Sequence, residues 1–209
     1  MKFIPFNANY WNKKVRDCVI RSFCVALNAG YMTICKVFGK KFEYGWGYGL
    51  EQGISKNEID EFVSKYGEKF EIKEIAPGKF RELQDQFQET EMSLEFMIDS
   101  GLFDGVLEDE GITANSFVGL VRTSRKEDNL DSWGFHAVSF GRSGEEWKYV
   151  DIPEKETTIN AVPIAIYSVG LKIPNSAKIS YRNEKEMVLA KQREMQRSKL
   201  KNGLASEKR

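Results

Sequence analysis

Apolar residues recur with helical spacing through the first half of the chain and with strand alternation through much of the second. Val19, Ile20, Phe23, Cys24, Ala26 and Leu27 share one broad face at 100° per residue, which predicts a helix over Asp17 to Asn28. Asp17 stands where it can cap that helix, and Gly30 lies just past its end. Cys18, Ser22 and Val25 fall on the opposite side, so the apolar stripe does not account for Cys18. A second helix opens with the capping box Ser55-Lys56-Asn57-Glu58, and Ile59, Phe62, Val63 and Tyr66 repeat at i, i+3, i+4 and i+7 before Gly67. Phe80, Leu83 and Phe87 predict a third helix and Leu94 to Phe103 a fourth, both in acidic surroundings. The acidic stretch from Glu89 to Gly111 reads as a solvated helical face.

The period then changes. Ser116 to Arg122, Gly134 to Gly141, Trp147 to Ile152, Ala161 to Val169 and Lys178 to Tyr181 read as strands. Helices followed by a run of strands predict an α+β domain with an antiparallel sheet, spanning residues 1–181. A charged helical or flexible tail, 182–209, follows. From Asn183 it carries eight Lys/Arg against four Glu, without a sustained heptad. Between the first two helices, residues 40–49 alternate aromatics with Gly45, Gly47 and Gly49 and read as a loop.

Composition narrows the functional classes. With 209 residues, 41% of them hydrophobic, the chain can bury a substantial core. Lys+Arg (31) equals Asp+Glu (31), which disfavours a dedicated nucleic-acid binder and leaves the tail as the local basic patch, a surface for a protein partner. No apolar run approaches the roughly 18 to 20 residues of a membrane span, and the stretch opening at Met1 is too short for a signal peptide. Three cysteines in no paired spacing argue for a reducing, cytoplasmic compartment. The same spacing disfavours a zinc site, and the alternating glycines match neither a dinucleotide fingerprint nor a phosphate loop.

The chemistry concentrates on three residues. Cys18 falls in the first turn of a helix, where the helix dipole and free backbone N–H groups favour the thiolate. Its neighbour Asp17 opposes this, an effect that capping the helix partly offsets. Cys24 and Cys35 read as core residues. His136, the single histidine, alternates onto one strand face with Val138 and Phe140. A tight hairpin centred on Ser143-Gly144 sets Phe140 opposite Trp147, Val138 opposite Tyr149, and His136 opposite Asp151. In that register the Asp151 carboxylate accepts the imidazole Nδ1–H and fixes its tautomer.

A helix-start Cys, a later strand His and an Asp on the adjoining strand resemble the papain-like cysteine peptidase fold. The segment Asn12-Lys13-Lys14-Val15-Arg16-Asp17-Cys18-Val19-Ile20-Arg21-Ser22 is similar to the opening of a group of papain-like proteins common in bacteriophage genomes. Gly134-Phe135-His136-Ala137-Val138 is similar to their later Gly-His-Ala-Val strand, with one residue inserted. The resemblance covers roughly residues 9–30 and 133–152. It implies a helical lobe whose Cys-bearing helix packs on the sheet, with Cys18 as nucleophile, His136 as general base and acid, and Asp151 as its orienting residue. Asn12, six residues before the nucleophile, would donate to the oxyanion. The implied function is a cofactor-independent thiol hydrolase, a peptidase or amidase acting on a peptide or protein in the host cytoplasm or in the virion. The competing expectation is a catalytically silent papain-like fold with a structural or host-factor-binding role.

Overall fold

The computed structural model describes residues 1–6, 8–9, 17–40, 53–78, 80, 92–122, 135–151 and 158–170. Asn12, the residue 41–49 part of the aromatic–glycine loop, the strand expected at Lys178 to Tyr181 and the 182–209 tail lie outside them, as does the third helix apart from buried Phe80.

Three helices occupy the first part of the chain: α1 (Cys18–Leu27), α2 (Tyr31–Val37) and α3 (Lys56–Phe70). The terminator of α1 is Asn28, not Gly30. Asn28 takes the left-handed conformation (φ 51°, ψ 49°), and the N–H groups of Asn28 and Ala29 return to the carbonyls of Val25 and Cys24. Gly30 is extended and starts α2, which is bent 112° away from α1. The capping box of α3 forms in both directions: Ser55 Oγ accepts from the Glu58 N–H, and the Glu58 carboxylate accepts from the Ser55 N–H at 2.9 Å. That helix continues through Gly67 to Phe70. The expected fourth helix is two, α4 (Leu94–Asp99) and α5 (Leu102–Asp109), broken at Gly101, whose φ of +77° no helical residue adopts. Of their acidic residues Asp99, Glu108 and Asp109 are exposed and Glu95 and Asp104 are half-buried, while Leu94, Met97, Phe103 and Val106 are buried.

Six strands form one sheet among the described residues: β1 (Lys2–Pro5), β2 (Ile72–Glu74), β3 (Ser116–Arg122), β4 (Phe135–Ser143), β5 (Glu146–Asp151) and β6 (Pro163–Val169), in the order β1-β5-β4-β3-β6-β2. The sheet is mixed rather than antiparallel, because β1 runs parallel to β5 at one edge. The fold is therefore α+β with an open, mixed sheet.

The helices do not gather into one lobe. One face of the sheet, with Val118, Leu120, Ala137, Ala165 and Tyr167, packs against α1, α2 and α3. The other, with Phe117, Val121, Val138, Phe140, Tyr149 and Ile166, packs against α4 and α5. Phe103 of α5 meets Phe117 edge-on at 5.3 Å and also contacts Phe140 and Trp147. Burial on both faces explains why β3 and β4 read as nearly continuous apolar runs. α1 lies against β4 and also touches β3 and β5, which brings its N-terminal end to the start of β4. No single helix among the described residues is long and apolar enough to cross a membrane.

Candidate active site

Cys18 is the first residue of α1 and is half-buried, whereas Cys24 and Cys35 are buried in the core behind it. Its thiol is hydrogen-bonded to His136 and to the backbone of Ala137 on β4. Burial pushes the Cys18 pKa up, but the hydrogen bond to His136, the imidazolium charge, the Ala137 backbone bond and the Arg21 charge outweigh it and bring it below the ordinary thiol value. Burial also draws the His136 pKa down. Hydrogen bonds to Asp151 and Cys18 and the negative charge of both overcome that and raise it to about 9. The two shifts together favour a thiolate–imidazolium pair at neutral pH.

His136 and Asp151 meet in a different register from the one the sequence suggests. The turn falls one residue later, at Gly144-Glu145, with Gly144 at φ +66°. Phe140 therefore pairs with Tyr149 and Arg142 with Trp147. Each partner moves by two positions, an even number, so every side chain keeps its face. Asp151 consequently approaches His136 diagonally rather than from directly opposite. The contact is short, 2.5 Å from Oδ2 to Nε2. The nitrogen on the carboxylate is thus Nε2 and not Nδ1, which leaves Nδ1 for Cys18. Both residues are 6% exposed. The backbone of Asp151 is fixed in turn by β1, since Pro5 pairs with it and the Phe6 N–H donates to its carbonyl at 2.7 Å.

Asp17 occupies the N-cap position without capping. Its carbonyl receives the Arg21 N–H, but its carboxylate makes no bond to the helix start. That carboxylate, 2% exposed, instead accepts from Asn9 Nδ2 at 2.7 Å, from the Tyr31 hydroxyl at 2.8 Å and from Arg21 Nε at 2.8 Å. The charge next to Cys18 is offset by Arg21 rather than by the helix terminus. Burial and the neighbouring Asp17 charge push the Tyr31 pKa far above its usual value, so its hydroxyl stays a donor. Arg21 Nη1 also lies 3.7 Å from Asp151 Oδ1, which joins the two carboxylates.

Cys18, His136 and Asp151 are therefore brought together. Asn9, Arg21 and Tyr31 complete the cluster, and the sequence assigned none of them a role. Arg21 carried a usable signal, four residues after Asp17 on a predicted helix. Among the described residues no group of three or more His, Cys, Asp or Glu side chains is placed to hold a metal ion. A cavity of about 570 Å³ lined by Met1, Lys2, Asp99, Glu146 and Trp147 lies at the other end of β5 and contains none of these residues. Comparison with protein-family models, curated proteins and solved structures finds no match to this chain.

Proposed function

We propose that the protein is a papain-like, cysteine-dependent hydrolase of amide bonds. The carrying observation is that one buried imidazole is hydrogen-bonded to a helix-start thiol and to a buried carboxylate at once. In this reading the Cys18 thiolate attacks a substrate carbonyl and forms a tetrahedral oxyanion. The Cys18 N–H, at the positive end of α1, is available to that oxyanion, and by resemblance Asn12 would donate as well. As the C–N bond breaks, the His136 imidazolium gives its proton to the leaving amine. Neutral His136 then takes a proton from water, which attacks the thioester and releases the acid and the thiolate. Asp151 holds the ring through Nε2 in both states. The same motifs support a phage-type protein with a peptide or protein substrate.

The test is labelling of the native protein with iodoacetamide across pH 4–9, with Cys18→Ser and His136→Ala as controls. Fast labelling of Cys18 at pH 5–6 that collapses in His136→Ala is the expected result. A profile with the ordinary midpoint of about 8.5, indifferent to His136, would overturn the reading and direct attention to a catalytically silent binding role.

A further inference from the structure

The triad leaves the adjacent guanidinium without a part in the chemistry. Arg21 follows Cys18 by one helical turn, so both side chains leave the same flank of α1. Its Nε is bonded to Asp17, its Nη1 lies near Oδ1 of Asp151, and the other oxygen of Asp151 holds His136. The Arg21 side chain is 11% exposed, and its anchor Asp17 is fixed from two further directions by Asn9 and Tyr31. A planar fork with donors along two edges can face two carboxylates together, and its charge is fixed throughout the range in which a thiol titrates.

Building on the hydrolase reading, we propose that Arg21 is a positioning residue of this site: anchored on Asp17, it orients the Asp151 carboxylate toward His136 and supplies the fixed positive charge that favours the Cys18 thiolate. Among the described residues, Arg21 is joined directly to Asp17 before α1 and Asp151 of β5, through Asp17 to Tyr31 of α2 and through Asp151 to His136 of β4, and its charge acts on Cys18 of its own helix. Two carboxylates close to a thiol disfavour its ionisation, and the imidazolium alone offsets one negative charge. Arg21 offsets the second. Its charge is among the causes that lower the Cys18 thiol.

Arg21→Gln and Arg21→Lys, each with its thermal unfolding recorded, separate charge from shape. The labelling midpoint of Cys18 should rise by about one pH unit in Arg21→Gln and return to within a few tenths of the native value in Arg21→Lys. Native midpoints in folded Arg21→Gln, or Arg21→Lys shifted as far as Arg21→Gln, would overturn the proposal. If Arg21→Gln does not fold, Arg21→Lys decides: a near-native midpoint supports the fixed charge, and a rise of about one unit sinks it. The hydrolase reading fails separately, when the unsubstituted protein itself labels like a free thiol.

Discussion

At the scale of single residues, His136 is pulled in two directions, and the balance sets its protonation state. Burial favours the neutral ring; Asp151 and the Cys18 thiolate favour the imidazolium, and they win, with a pKa of about 9. A group raised above its free value of 6.5 keeps its proton through neutrality and loses it as pH climbs through 9. Under the proposed hydrolase function, leaving-group protonation by His136 should therefore fall off above about pH 9, and loss of the thiolate should set the acid limb. Replacing Asp151 by Asn removes the charge and keeps the shape, so the His136 midpoint should move from about 9 down toward 6.5. Because the sequence contains one histidine, its ring Cε1–H gives a single resonance to titrate by NMR. An unmoved midpoint in Asp151→Asn would mean that Asp151 does not hold the proton on the ring. The three triad residues were legible because each carries a local signal: a helix start, a strand and a hairpin. Asn9 and Tyr31 carry none, since their partner is a buried carboxylate 8 and 14 residues away in sequence that local pattern assigns to a cap.

At the scale of elements, legibility followed length and periodicity. The 15 residues of α3 show a full apolar repeat behind a capping box, and both features form. The four-residue β1 and three-residue β2 were missed, because so short a stretch has no measurable alternation. The cost of missing β1 was functional, since it fixes the backbone of Asp151. The hairpin was found with its turn misplaced by one residue, and the two-residue period of a strand preserved the faces that matter. The α3 cap gives an independent handle on stability. Ser55→Ala removes the side-chain acceptor of the Glu58 N–H and should cost about 1 kcal/mol, read as a lower urea midpoint with an unchanged slope. The Cys18 labelling profile should stay native, because no group of the cap is bonded to the triad. A changed profile would show that α3 controls the site.

At the scale of the molecule, the notable departure from expectation is a sheet covered on both faces. Sequence order, helices first and strands later, gave no sign that α4 and α5 would cross to the opposite side, since an amphipathic helix specifies that it has a partner and not which one. The consequence is a coupling between two cores. Cys24 and Cys35 report on the face against which α1 and Cys18 pack, while Phe103, fully buried against Phe117 and Phe140, belongs to the other. The faces share the strands β3 and β4, so a defect in one should lower the stability of both. Phe103→Ala is expected to cost about 3–5 kcal/mol. If the sheet opens as one cooperative unit, native-state labelling of Cys24 and Cys35 through that opening accelerates by at least about a hundredfold, each 1.4 kcal/mol being a factor of ten. Unchanged labelling of both cysteines, with the α4–α5 side loosened in hydrogen exchange, would mean that the two faces open independently. In that case the core behind Cys18 stands on α1, α2, α3 and the sheet alone, and the second layer serves another purpose than holding α1 in place.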